Sequence, residues 1–180
     1  IKEEEIPKGQ VETLHVCLNY YGLGHANFMG IVSDNINRYK PKAIDICSTV
    51  TPGTTELFGP TAVHSTTRGL HPNLSEGLRR ITKHVGGPVA QRIAKQYAKA
   101  EIKCIAHKNP RTTEVAHILN NSAYGISLMF ADEMQKICRE YGVDYFEAVM
   151  KYTATHNAGF KALDHDRLVR PILTPPNGRI

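Results

Sequence analysis

The sequence predicts an α/β fold: a parallel sheet built from strand–helix–strand units, then one long helix and a small all-helical segment. The first half of the chain alternates short apolar runs, which favour strands, with stretches whose apolar residues recur at helical spacing. Repetition of that order predicts parallel strands joined by right-handed crossovers. The second half instead carries one continuous apolar stripe at helical spacing, which predicts a long helix that needs a partner surface.

Each element of the first half has its own pattern. Strands are predicted at 12–18, 42–48, 61–65, 81–86 and 101–106. Helices are predicted at 26–39, from near Thr54, and at 88–99. The apolar face of the first of these helices comprises Phe28, Ile31, Val32 and Ile36. The stretch between 65 and 81, rich in Gly, His and Pro, is expected to be a loop.

The long helix has clear boundaries in the sequence. Asn109 can cap the amides of the first turn, and Pro110 fits there because no backbone donor is needed. No proline follows before Tyr141, and Gly142 supplies a stop. The helix is therefore expected to be roughly 45 Å long, longer than the preceding sheet can cover.

A shorter helix is predicted after the long one. Asp144 and Glu147 resemble a capping box for a helix that ends near Tyr152. The chain from His156 onward, rich in His, Pro and Asn, is expected to be a loop. The sequence thus divides into an α/β domain, 1–108, and a helical domain, 109–180.

Composition excludes several classes of function. No apolar run approaches the roughly 18 residues of a membrane span, and the first residues, IKEEEIPKGQ, are too charged for a secretory signal. The chain begins at Ile rather than Met, which suggests a fragment or a trimmed start. A net charge of +5 fits an anionic ligand. Because the basic residues are dispersed, a phosphate-bearing small molecule is favoured over nucleic acid.

The cysteines and histidines suggest no metal site. The four cysteines lack CxxC spacing, and the nine histidines lack HxxxH and HExxH spacing. Buried free thiols in a reducing cytoplasm are therefore expected.

One motif raises a functional question. In DICSTVTPGTTE, residues 45–56, an apolar strand ends in Ser48 and Thr49, and a Pro52-Gly53 turn leads into a helix at Thr54. Such a stretch is either a capped loop or the rim of a ligand crevice, because ligands of parallel sheets lie at the carboxyl ends of the strands.

Three stretches together resemble the NAD-dependent nucleotide-sugar dehydrogenases. They are residues 48–56, 113–144 and 166–180. Members of that family oxidise UDP-glucose, UDP-N-acetylmannosamine or GDP-mannose to the uronic acid. The resemblance implies a partial Rossmann-like dinucleotide-binding domain, NAD as cofactor, a nucleotide-sugar as ligand, and a homodimer formed through residues 113–141.

The resemblance also implies a set of site residues. The implied catalytic residues are Thr49, His117 and Asn121. The implied cofactor-binding residues are Asn19, Tyr20, Ser48, Thr49, Pro52, Gly53 and Thr54. The implied substrate-binding residues are Thr67, Arg68 and Glu114.

The chain departs from the family pattern at four places. The GxGxxG fingerprint is missing, because the third glycine of YGLGHANFMG falls inside a predicted helix. The Gly-Gly-His-Cys segment of the catalytic cysteine is also missing. His117 replaces a lysine, and Thr67 replaces the glutamate that assists thioester hydrolysis. A protonated His117 would stabilise an oxyanion, a neutral one would act as a base, and a histidine with an ordinary hydrogen bond would do neither.

Two main hypotheses follow from this pattern. The first is a divergent NAD-dependent dehydrogenase that oxidises a hydroxyl of a nucleotide-linked sugar. The second is a non-catalytic relative that binds a nucleotide or nucleotide-sugar, or simply dimerises. A nucleic-acid binder is a weaker third hypothesis, which rests only on the basic pI.

Overall fold

A five-stranded, mostly parallel sheet dominates the first part of the chain. The structure, a computed structural model, describes residues 9–69 and 72–175. The strands, in their spatial order, are Leu14–Val16 (β1), Ile44–Ile46 (β2), Ala62–His64 (β3), Lys83–Gly86 (β4) and Cys104–His107 (β5). The α-helices are Tyr20–Leu23 (α1), His25–Tyr39 (α2), Leu74–Arg80 (α3), Ala90–Ala98 (α4), Pro110–Glu140 (α5) and Tyr152–Ala162 (α6). The predicted α/β class is confirmed.

The expectation of a wholly parallel sheet is wrong at one strand. β1, β2 and β3 are parallel, but β4 runs antiparallel to β3, with His64 opposite Gly86. β5 is parallel to β4. The helix α3 occupies part of the stretch predicted as loop and buries no side chain. The chain turns beyond the carboxyl end of β3 and runs back as β4.

The two faces of the sheet bury separate cores. On one face, Phe28 and Val32 of α2 pack with Ile44 and Ile46 of β2. On the other face, Ile93 of α4 packs with a second set of side chains, Ala43, Val63, Val85 and Ala90. This alternation of neighbouring residues between faces is the period of two expected of strands.

The helical face predicted for α2 is correct except at one position. Phe28 and Val32 are fully buried, and Ile36 packs against the same core. Ile31, by contrast, is 37% exposed. The apolar residues of α2 therefore cover a slightly wider face of the helix than the part that is buried.

The long helix is confirmed as one continuous element, and its predicted caps are present. The side chain of Asn109 accepts a hydrogen bond from the Arg111 amide at 2.8 Å. At the other end Gly142 has a positive φ of 63°, which glycine adopts without strain. The chain forms two compact units, residues 1–119 and 120–180, which divide inside α5. The sequence places the domain boundary at the start of this helix, and that assignment stays a prediction.

The second unit is more helical than the sequence predicts. Asp144 accepts a hydrogen bond from the Glu147 amide at 3.0 Å, as expected of a cap. A π-helical turn, Phe146–Lys151, then continues into α6. The loop expected from His156 is wrong up to residue 162. Asn157 explains the difference, since its side chain exchanges two hydrogen bonds with the backbone of Arg170, at 2.7 and 2.8 Å.

Within residues 9–69 and 72–175, none of the helices combines the length and apolarity that crossing a bilayer requires.

Candidate functional site

The hydroxyl groups at the end of β2 have different roles. Ser48 is buried, accepts a hydrogen bond from the Leu18 amide at 2.9 Å and lies 3.2 Å from the Val16 carbonyl. It therefore ties β2 to β1. Thr49 is half-buried, and its Oγ1 lies 3.0 Å from Nε2 of His117. The structure thus brings together two of the three predicted catalytic residues.

His117 is held in its neutral form. Burial lowers the pKa of this imidazole below its usual value, and the positive charge of Arg68 lowers it further. A neutral imidazole can accept a proton, whereas stabilising an oxyanion by charge requires the protonated form. The lowered pKa therefore argues against the oxyanion role, while the choice between a base and a histidine with an ordinary hydrogen bond stays a prediction.

A second neutral histidine supports the same strand end. His64 is fully buried, and burial lowers its pKa to about 4. Its Nε2 lies 3.3 Å from the Ser48 carbonyl, and its Nδ1 lies 2.8 Å from the Thr113 hydroxyl. Because a carbonyl only accepts, Nε2 carries the proton and Nδ1 accepts from Thr113. This network fixes the backbone next to Thr49.

A close approach between α5 and β4 makes these contacts possible. A side chain at Gly86 would place its Cβ 2.6 Å from Oγ1 of Thr113. Glycine therefore lets the first turns of α5 pack directly against the sheet. That packing positions Thr113 and Glu114 on one turn and His117 on the next.

Glu114 occupies two backbone amides of the Pro52-Gly53 turn. It is 1% exposed, and its two oxygens accept hydrogen bonds from the amides of Gly53, at 2.6 Å, and Thr55, at 2.9 Å. Gly53 has a φ of 95°, which favours glycine at this turn. A four-residue 3-10 helix, Thr55–Phe58, follows. The anion at this turn is the protein's own carboxylate.

The remaining residues of the predicted cofactor site have local partners. Asn19 caps α1 by accepting from the Gly22 amide at 3.0 Å. Tyr20 is buried, and its hydroxyl lies 2.9 Å from His25 Nδ1 and 3.1 Å from Thr51 Oγ1.

Pro52 lies in the turn before Gly53, and buried Thr54 donates to the Thr51 carbonyl at 2.7 Å. Their contact with a cofactor stays a prediction.

The predicted substrate residues other than Glu114 are exposed. Thr67 and Arg68 follow β3 and face solvent. Arg68 acts electrostatically on His117 and on His84. Asn121, the third predicted catalytic residue, is an exposed residue of α5 in the second unit. The roles of all three stay predictions.

A second polar cluster, which the sequence analysis misses, lies on the sheet face that carries α4. Asp45 is completely buried there, and it accepts hydrogen bonds from Ser65 at 2.5 Å and from Tyr97 at 2.6 Å. His15 Nδ1 lies 2.9 Å from the same carboxylate. Although burial alone would raise it, hydrogen bonds from His15, Ser65 and Tyr97 hold the pKa of Asp45 below its usual value. The hydrogen bond to Asp45 raises the pKa of His15 to about 9.

Two cysteines and a lysine border this cluster. The Cys47 thiol lies 3.6 Å from Asp45, and it is also hydrogen-bonded to the thiol of Cys17, which lowers the Cys17 pKa. Lys83 is buried and donates to the carbonyls of Ser65 and Thr66. All four cysteines are free thiols, but only Cys138 is buried. Cys47 and Cys104 are half-buried and Cys17 is exposed, so the expectation of buried thiols is correct for Cys138 alone. The signal for the cluster was present, because polar residues alternate with Val16 and Ile46 in β1 and β2.

The architecture and the strand-end site together define a class. A mostly parallel sheet with helices on both faces, and polar side chains at the carboxyl ends of its first strands, is a Rossmann-like fold of the kind found in dehydrogenases.

Solved structures with this fold include two UDP-N-acetylmannosamine dehydrogenases. The enzyme of Pyrococcus horikoshii matches with a TM-score of 0.63 and 18% identity, over 81% of this chain and 40% of that one. The Staphylococcus aureus enzyme Cap5O matches with a TM-score of 0.63 and 16% identity, over 92% of this chain and 44% of that one. Psf3, solved with NADP+ and 2-OPP, matches with a TM-score of 0.51 and 18% identity, over 86% of this chain and 55% of that one.

The chain spans less than half the length of the two dehydrogenases. No protein-family model matches the sequence, and no curated protein matches it.

Proposed function

We propose that the chain forms part of an NAD-dependent dehydrogenase that oxidises a hydroxyl group of a nucleotide-linked sugar. The observation that carries this proposal is the 3.0 Å contact between Thr49 Oγ1 and His117 Nε2. It joins a hydroxyl at the carboxyl end of β2 to a base on α5, at the edge where open α/β sheets bind ligands. The likeness to two UDP-N-acetylmannosamine dehydrogenases supports the substrate class.

In this proposal Thr49 and His117 remove the proton of the substrate hydroxyl. Oxidation of an alcohol to a carbonyl releases a hydride from carbon and a proton from oxygen. The proton passes to the Thr49 hydroxyl while the proton of that hydroxyl passes to Nε2 of His117. The low pKa of His117 leaves it unprotonated near neutral pH and ready to accept. Asn121 is assigned, from the resemblance alone, to flank the reacting carbon.

The described residues fit the reacting end of NAD, and not its pyrophosphate. A bound nicotinamide would supply the hydride acceptor. The backbone amides of Gly53 and Thr55, which face an anion, are already filled by Glu114. We therefore assign Ser48, Thr49, Pro52, Gly53 and Thr54 to shaping the nicotinamide side of the crevice, together with Asn19 and Tyr20. Glu114 acts as a positioning residue for that turn.

The proposed reaction stops at the first oxidation, which yields a carbonyl. The second oxidation in the resembled family uses a cysteine and a carboxylate. Thr67 cannot act as a base at neutral pH. Arg68 beside it is exposed and cationic, so we assign it to a phosphate or carboxylate of the substrate.

The test combines binding with turnover. Calorimetry with NAD and NADP, and absorbance of the reduced nicotinamide with UDP-N-acetylmannosamine and UDP-glucose, should show binding and substrate-dependent reduction. Thr49→Val and His117→Ala should each lower kcat by about a hundredfold or more, with little change in KM. Thr112→Val, at an exposed position on the same helix, is the matched control. Absence of binding by either nucleotide would remove the proposal, as would full activity of His117→Ala.

One observation favours the non-catalytic alternative. Glu114 fills the amides that a ligand anion would use, which is compatible with a relative that binds a nucleotide-sugar without turning it over. This alternative predicts that His117→Lys combined with Thr67→Glu gains no activity, and that the wild type binds ligand without reducing NAD. Steady turnover by the wild type would contradict it.

The same proposal includes a homodimer formed through residues 113–141. The support is the apolar surface that the second unit exposes along α5. Its large exposed side chains there are Tyr124, Ile126, Met129, Phe130 and Ile137. Exposed apolar surface of this extent on one helix is typical of a protein–protein interface.

A further inference from the structure

The polar side chains of β1 and β2 form a candidate ligand site that is separate from the strand-end site. His15 and Asp45 are directly opposite each other in the register of these parallel strands. Cys47 follows Asp45 at the next position on the same face, because side chains alternate along a strand. Two neighbouring strands thus bring one nitrogen, one carboxylate and one sulfur atom within 4.8 Å of one another.

The ligand atoms of the cluster lie near the spacing of a metal site without matching it. Asp45 Oδ2 lies 2.9 Å from His15 Nδ1 and 3.6 Å from Cys47 Sγ. The ligand atoms of these three residues all lie within 4.8 Å of one another. In a tetrahedral zinc site, bond lengths of about 2.0 to 2.3 Å place neighbouring ligand atoms about 3.3 to 3.8 Å apart. Shifts of a few tenths of an ångström to about one ångström would admit an ion.

The surroundings of Asp45 orient it for this role. Its Oδ1 accepts a hydrogen bond from the Ser65 hydroxyl, and its Oδ2 faces His15 and Cys47. The Tyr97 hydroxyl of α4 donates to this same Oδ2 at 2.6 Å, so a bound ion would share that oxygen with Tyr97. Metal ligands in proteins are commonly fixed by such outer hydrogen bonds. A buried carboxylate held in this way carries the negative charge that a cation requires.

We propose that His15, Asp45 and Cys47 bind a divalent metal ion of borderline softness, such as Zn2+. The mixed set of imidazole, carboxylate and thiolate selects zinc or cobalt over magnesium and calcium, which prefer oxygen ligands alone. Binding releases the Cys47 thiol proton to solvent and involves no change of oxidation state. The ion would clamp β1 to β2. This site is independent of the proposed oxidation.

The experiment uses Co2+ as a spectroscopic probe. The reduced wild-type protein, first treated with a chelator, should take up cobalt with a thiolate charge-transfer band and the visible bands of a tetrahedral ion. Zn2+ should then displace the cobalt and remove both the charge-transfer band and the visible bands. Cys47→Ser should abolish the charge-transfer band or reduce apparent affinity at least about tenfold. His15→Ala should also weaken binding, and because His15 is exposed this variant is expected to fold.

The matched controls are two cysteines that are not proposed as ligands. Cys104→Ser and Cys138→Ser should bind cobalt as the wild type does. The proposal is overturned if the wild type develops no thiolate band, or if the controls lose it as Cys47→Ser does. If the wild type develops no thiolate band, the cluster is a hydrogen-bonded network only. Circular dichroism of every variant separates loss of ligand from loss of fold.

Discussion

At the scale of single residues, buried groups near the end of β2 determine how the protein responds to pH. His64 is the clearest case, because its pKa of about 4 lies below the 6.5 of an unfolded histidine. The neutral form is favoured in the folded state, so the associated stability is present above about pH 6.5 and is lost as pH falls towards about 4.

The difference between the folded and unfolded pKa of His64 predicts a measurable loss of stability in mild acid. Between about pH 7 and about pH 5, protonation linked to His64 should lower the free energy of unfolding by ~2 kcal/mol. Urea unfolding at the two pH values measures it. His64→Gln should lose most of that dependence, whereas His165→Gln, at an exposed position, should retain it. An equal pH dependence in wild type and His64→Gln would disprove the assignment.

Glu114 gives a second prediction at this scale. Its carboxylate accepts two backbone amides in a buried position, and charged acceptors contribute more than neutral ones. Glu114→Gln should therefore lower the free energy of unfolding by about 3 kcal/mol. Glu140→Gln, at an exposed position on the same helix, is the control and should change stability by less than about 0.5 kcal/mol. Denaturant midpoints give both values, and equal effects would rule out this role for Glu114.

At the scale of elements, helices with apolar residues at helical spacing or with clear end signals were predictable, and the others were not. The spacing of Phe28 and Val32 indicates α2, and the Asn109-Pro110 pair marks the start of α5. α3 has no buried side chain, so no hydrophobic pattern reports it. α6 extends into the stretch predicted as a loop, and its Asn157 contacts the backbone of Arg170, a partner that local sequence does not reveal.

The apolar surface on α5 gives the prediction at this scale. Met129 is 75% exposed and Phe130 is 58% exposed, and the proposed dimer would bury both. Met129→Lys combined with Phe130→Glu should convert a dimer to a monomer in light scattering at micromolar concentration. Leu163→Lys, at a position 66% exposed just after α6, should leave the dimer intact. A monomeric wild type would contradict the dimer itself.

At the scale of the whole molecule, the site depends on how the sheet is ordered. Thr49 and His117 are 68 positions apart, and no local pattern places one against the other. The similarity of three stretches to a known family suggested the pairing, and the structure shows the contact. The Asp45 cluster and the antiparallel β4 were not predicted, because both depend on which strands become neighbours.

The return of β4 beside β3 has a further consequence. It keeps α3 and the described residues around it at the rim of the sheet, outside both apolar cores. A segment there can change in sequence or length over evolution without loosening the packing beneath it. Relatives of this protein are therefore free to vary this one segment while the scaffold stays the same.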